Sequence, residues 1–271
     1  MIPCVSQATT LPSSFADDVA NYQATGWRCI EVWLTKLEKH LEDVSVADTR
    51  KALRDAGIEL AAAAFQGGLL TSQGSQRQAH FDHLKRRLDL CQAFGIRTLI
   101  VTPDFNVAVD PQTVGRAVAS LAQAARWAAG FDVRLAVEFQ GGASFCSSLD
   151  TTVMLLTECR EVNVGICLDL FHYYKGPSKL EDLEQLTAEK LFHVQVCDVA
   201  GVPRELMSDS DRILPGDGDF SPSRIIKTLR TMGYNGPVAL ELMNHELWRS
   251  NPKQILELGL TALDRLLAST P

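Results

Sequence analysis

The sequence predicts an α/β protein, a single (β/α)8 barrel, and three observations lead there. Short apolar runs alternate with amphipathic ones along the chain, amphipathic runs stop at Gly57, Gly95 and Gly233, and no Gly-x-Gly-x-x-Gly follows the first apolar run. Alternation of this kind builds a parallel sheet carrying helices, and eight repeats fit a closed barrel better than an open doubly wound sheet. The missing glycine motif also counts against a dinucleotide-binding sheet. No linker or low-complexity segment divides the 271 residues, so one domain over residues 1–271 is expected. Barrels of about 250 residues are commonly one domain.

The elements follow in order. Ile2–Gln7 and Cys29–Leu34 are short apolar runs, Ile58–Phe65 starts directly after Gly57, and Thr98–Thr102 follows Gly95-Ile96. A glycine just past a helix is its usual stop, so these junctions read as helix-to-strand turns. Gln78–Phe94, Thr113–Ala129 and Pro222–Met232 read as amphipathic helices, and the later strands fall at Arg134–Phe139, Gly165–Leu170, His193–Cys197 and Val238–Leu242.

Four successive strands reach an acid or an amide at or near their ends: Glu138, Asp169, Gln195 and Glu241. Alternation places Ala136 inward with Glu138, Cys167 and Gly165 with Asp169, His193 and Cys197 with Gln195, and Ala239 with Glu241. Small residues under polar ones leave space at the C-terminal rim, where barrel active sites are found. Carboxylates sharing a pocket repel, and one divalent metal ion lets them stay ionised. Oxygen donors suit Mg or Mn, with Zn or Co also compatible. Glu31 points inward with Cys29 and Trp33. It is a candidate substrate ligand, the alternative being a buried carboxylate bonded to backbone.

Composition excludes several classes. The formal charge of −7, with no basic run and 7% aromatics, argues against a nucleic-acid surface. No stretch approaches the roughly 18 apolar residues of a membrane helix, and the start lacks the features of a signal peptide. Seven scattered cysteines, without a Cys-x-x-Cys pair, read as core residues of a cytoplasmic protein. His80 and His83, near Lys85, Arg86 and Arg87, read as a solvated helix face, and His193 as a pore-lining core histidine. Pro215–Asp219 lacks the Lys-Ser/Thr of a phosphate loop, and Ser208–Asp211 lacks the Gly and terminal Glu of a calcium loop.

The chain resembles the xylose-isomerase-like TIM barrel superfamily, the sugar phosphate isomerase/epimerase group. The resemblance rests on Ala136-Val-Glu138-Phe, Leu168-Asp169-Leu-Phe-His172, His193-Val-Gln195-Val-Cys-Asp198, Arg212-Ile-Leu-Pro-Gly-Asp-Gly-Asp219-Phe, Gly233-Tyr-Asn-Gly-Pro and Leu240-Glu241-Leu. It implies one divalent metal held by Glu138, Asp169, Gln195 and Glu241. Gln195 departs from the commoner His-x-His pattern and is similar to hydroxypyruvate isomerases and 3-dehydroshikimate dehydratases. The resemblance further implies proton transfer by Glu138 and Glu241 on opposite sides of a substrate, through a metal-stabilised enediolate. His172 and Arg212 would fix substrate oxygens, with Arg204 as the competing arginine.

The function expected is a metal-dependent isomerase or epimerase of a small keto sugar or related hydroxy-carbonyl compound. The enzymatic alternative is a dehydratase of a cyclic polyol ketone, resembling inosose or 3-dehydroshikimate dehydratase. A sugar-binding barrel without turnover is the non-enzymatic alternative. Expected partners are a small sugar or polyol substrate, with no nucleic acid and no membrane; oligomeric state, a homo-oligomer included, stays open.

Overall fold

Eight parallel strands run in chain order: β1 (Ile2–Ser6), β2 (Cys29–Trp33), β3 (Glu59–Gln66), β4 (Thr98–Val101), β5 (Arg134–Glu138), β6 (Val164–Asp169), β7 (Leu191–Val196) and β8 (Pro237–Leu240). Because β1 pairs in parallel with both β2 and β8, the sheet closes into the expected barrel. The computed structural model describes residues 1–105 and 109–268; residues 106–108 and 269–271 of the expected domain lie outside the described residues. The helices are α1 (Phe15–Thr25), α2 (Leu34–His40), α3 (Val46–Ala56), α4 (Gly74–Phe94), α5 (Pro111–Ala129), α6 (Leu149–Cys159), α7 (Leu170–Lys175), α8 (Ser223–Thr231) and α9 (Pro252–Ala268). The chain divides into two compact units, Met1–Ala61 with Val194–Pro271, and Ala62–His193.

In the first unit α1 packs on α9, and the Trp27 indole donates to the Leu256 carbonyl at 3.1 Å. Cys4 lies opposite Ala239 in the β1–β8 register, and both cluster with Cys29 and Ala61. These small side chains occupy the parity of Ser6, Glu31 and Glu241, two residues further along each strand. In the second unit, Ala136 is registered with Gly165 and Glu138 with Cys167.

Helix boundaries differ from expectation where capping decides them. Asp110 accepts from the Thr113 N–H and Pro111 supplies a preset first-turn φ, so α5 begins at Pro111 instead of Thr113. Gly57 and Gly95 adopt left-handed φ values of 66° and 71° at the ends of α3 and α4. The solvated face expected around Arg87 is corrected: this guanidinium is buried and donates to the Phe65 carbonyl.

All seven cysteines are buried and free. Burial pushes the Cys91 and Cys146 thiols up to about 12, which suits core packing and not nucleophilic chemistry. Among the described residues, no helix is long and apolar enough to cross a membrane.

Candidate functional site

In the second unit, β5 ends on Glu138 and β6 on Asp169, and the turn after Asp169 becomes α7. One Asp169 oxygen, Oδ1, caps that helix by accepting from the Phe171 N–H at 2.8 Å. A short turn later, His172 swings its ring back over the strand ends. Its Nε2 lies 3.6 Å from Glu138 Oε1 and 3.7 Å from Asp169 Oδ2. All three residues are buried, and each offers an atom within 4.8 Å of the other two. By chemistry the three residues offer a cation two oxygen donors and an imidazole.

The imidazole's other face decides what it can contribute. The Gly141 N–H donates to His172 Nδ1 at 3.4 Å, so Nδ1 is the acceptor and a ring proton sits on Nε2. A protonated ring nitrogen has no lone pair for a metal, and a ligating histidine normally donates from its far nitrogen instead of accepting there. In this arrangement His172 Nε2 faces the two carboxylates as a hydrogen-bond donor. The strand-five loop makes this possible because Gly141 has no Cβ; one there would lie 2.8 Å from the Gly176 nitrogen and 2.9 Å from the His172 carbonyl oxygen.

In the first unit, Glu241 follows β8 directly, its N–H donating to the Val196 carbonyl at 3.1 Å. Gln195, on β7, donates from Nε2 to Glu241 Oε1 at 3.1 Å and to Glu31 Oε1 at 3.3 Å. Ser6 Oγ donates to Glu31 Oε1 at 2.7 Å and lies 3.4 Å from Glu241 Oε1. Arg212 is 1% exposed and donates from Nη1 to Glu241 Oε2 at 3.0 Å. Its Nη2 also meets Asp209 Oδ1 at 2.8 Å. Arg204 is exposed in a short 3-10 turn. Of the two arginines, Arg212 is the one against Glu241.

Three contributors escaped the sequence reading. Gln140 steadies Glu138, donating from Nε2 to Oε1 at 3.1 Å, and Ser6 anchors Glu31. Asp198 is the third. Its carboxylate accepts from the N–H groups of Val199 at 2.9 Å, Gly216 at 3.0 Å and Phe220 at 3.1 Å. Its backbone also exchanges two 2.9 Å hydrogen bonds with Ile213, the residue after Arg212. One buried side chain thus fastens both ends of the segment that carries Arg212.

Gly218 lies against this knot, and a Cβ there would fall 2.4 Å from both Asp198 Oδ1 and the Val199 carbonyl oxygen. Gly218→Ala is expected to cost about 1–3 kcal/mol, as overpacking against fixed atoms does. A urea midpoint equal to that of the native chain would show that the segment yields freely and that Asp198 does not pin it.

The chain belongs to the xylose isomerase-like TIM barrel family, whose model matches residues 19–266. It is similar to an inosose isomerase of Bacillus licheniformis, 24% identical over 269 residues and covering 93% of each chain. It is also similar to a 3-dehydroshikimate dehydratase of Pseudomonas aeruginosa, 26% identical over 90% of this chain and 38% of that one. Among solved structures, the IolI protein with a bound zinc atom superposes with a TM-score of 0.94 at 21% identity, covering 100% of this chain and 99% of the other. D-psicose 3-epimerase from Clostridium cellulolyticum H10 superposes with a TM-score of 0.79 at 17% identity, covering 100% and 99%.

Proposed function

We propose that this chain is a divalent-metal-dependent isomerase or epimerase of a small keto sugar or related hydroxy-carbonyl compound. The observation that carries the reading is the buried Glu138–Asp169 pair, two carboxylates converging on a single imidazole Nε2. A cation bound by their oxygens relieves their mutual repulsion. Relatives named inosose isomerase and D-psicose 3-epimerase support the reaction class, and the zinc in the IolI structure supports a divalent ion.

The proposed ligands are Glu138, Asp169, Gln195 and Glu241, one from the end region of each of four successive strands. A divalent ion held there would supply Lewis-acid polarisation of a substrate carbonyl and positive charge for the negative charge that develops on proton loss. Glu138 and Glu241 are the proposed proton-transfer pair, one taking the proton next to the carbonyl and the other returning it. His172 offers its Nε2–H to a substrate oxygen. Arg212 holds Glu241 through Oε2 and supplies fixed positive charge for developing negative charge.

The test is incubation of the metal-loaded protein in deuterated water with ketoses, hydroxypyruvate and cyclic polyol ketones. Deuterium in an isomeric product is the expected result. The named dehydratase relative favours one competing outcome: loss of water from a cyclic ketone with no isomer formed, read as ultraviolet absorbance of the enone. Absence of exchange with every compound would leave a binding protein.

A further inference from the structure

The amide of Gln195 has two faces, and only one can serve a cation. Its Nε2 sits between two carboxylates, 3.3 Å from Glu31 Oε1 and 3.1 Å from Glu241 Oε1. Turning the amide over would put the partly negative Oε1 in that place, against two carboxylate oxygens. The two acids therefore select the orientation, and a planar amide that turns Nε2 toward them turns Oε1 away.

Glu31 does this from a fixed place. It is fully buried on β2, and the buried Ser6 hydroxyl on β1 holds the same Oε1 at 2.7 Å. A hydroxyl has one proton to give, so the 2.7 Å contact is the bond and the 3.4 Å approach to Glu241 is secondary. Ser6, Glu31 and Gln195 thus form a chain from β1 through β2 to β7, all on regular strands, where side chains are held more tightly than on loops. Glu241 is fastened on its other oxygen by Arg212, while Glu31 Oε1 accepts from both Ser6 and Gln195.

We propose that Glu31 is a positioning residue: through Ser6 and the Gln195 Nε2–H it fixes the amide so that Oε1 is presented to the divalent ion. The proposal rests on the reading of Gln195 as a metal ligand. It replaces the expectation that Glu31 contacts substrate. It also accounts for a glutamine at a strand-seven position where the commoner pattern has histidine. An amide must be told which way to face, and a buried carboxylate three strands along in the sheet order supplies that instruction.

Equilibrium dialysis with Mn or Zn on the full chain tests this, reading metal affinity without turnover. Glu31→Met removes the acceptor at similar length and should weaken metal binding about 10–100-fold, as loss of an outer-shell partner does. Glu31→Gln keeps an oxygen acceptor without the charge and should stay within about twofold of the native chain. Glu31→Met combined with Gln195→Ala should bind no more weakly than Gln195→Ala alone, again within about twofold. A Glu31→Gln loss as large as that of Glu31→Met would show that charge matters and orientation does not. Additive losses in the double variant would show that Glu31 acts without Gln195. Either result overturns the proposal while leaving the ligand reading standing. Native affinity in Gln195→Ala overturns both. Thermal unfolding checks each variant, and if Glu31→Met does not fold, Ser6→Ala carries the test: it should weaken binding several-fold in the native background and not in Gln195→Ala.

Discussion

Glu241→Gln is expected to lower kcat by about 10²–10⁴-fold, the usual contribution of a positioned acid or base, and excess Mn should not restore it. The substitution keeps the shape and one acceptor oxygen, which can serve Gln195 Nε2 or Arg212 Nη1 but not both. Arg212 retains Asp209, with Nη2 2.8 Å from Oδ1, and is not left as a buried charge without an anion. What disappears is a group able to hold and return a proton. Asp169→Asn makes the contrasting case. Asp169 caps α7 through Oδ1, which an asparagine oxygen can also do, and no proton-transfer role is proposed for it. Its loss should weaken metal binding chiefly, so saturating Mn should recover most of the turnover. The two variants are compared by kcat at rising metal concentration. Full recovery of Glu241→Gln would show that Glu241 is a ligand alone, and failure of Asp169→Asn at saturating metal would show that its role exceeds binding.

The barrel was legible because its signals are local and repeated. Apolar runs such as Leu135-Ala-Val137 and Gly165-Ile166-Cys-Leu168 need only a period of two, and Gly57 and Gly95 mark helix ends by backbone conformation alone. The same parity marked Glu138, Asp169, Glu241 and Glu31, which follow small inward residues, and Gln195, which follows His193. Their partners were harder to see. Ser6 sits on the parity of Cys4 at the end of β1, but a strand drawn through to Gln7 conceals that it is the last residue. Gln140 lies two residues past Glu138 in a loop whose path depends on Gly141 and Gly176 meeting closely. Arg212 and Arg204 could not be separated by spacing. The segment that carries both is tied at its flanks by the three N–H groups that Asp198 gathers, from positions up to 22 residues away. Long-range hydrogen bonding of that kind leaves no periodic trace.

Removing either partner of the Asp18–Lys36 pair is expected to cost about 3–5 kcal/mol, while removing both charges together should cost almost nothing. Asp18 is fully buried on α1, and its Oδ2 accepts from Lys36 Nζ and from Gln7 Nε2, the latter at 2.9 Å. Lys36 Nζ also donates to the Thr10 carbonyl at 2.9 Å. Burial pushes the Asp18 carboxyl up to about 6, against the pull of Lys36 and its hydrogen bonds, and burial lowers the Lys36 ammonium against the push of Asp18. Both shifts have the same meaning: desolvation outweighs mutual attraction, so the charges stabilise each other without stabilising the fold. Lys36→Met strands a buried carboxylate and Asp18→Asn strands a buried ammonium. The double variant keeps an asparagine oxygen for Gln7 and strands neither, and it should equal or exceed the native stability, by up to about 4 kcal/mol. The pH dependence has a definite sign. A carboxyl raised from 3.8 to about 6 on folding favours the native chain below the unfolded value, and that advantage is lost as pH rises through the folded value. Against the double variant, the native chain should therefore lose about 2 kcal/mol between pH 4 and 7. Urea unfolding of all four proteins across that range measures both effects. A double variant as unstable as the sum of the singles would mean that the ion pair itself holds α1 and α2 in place.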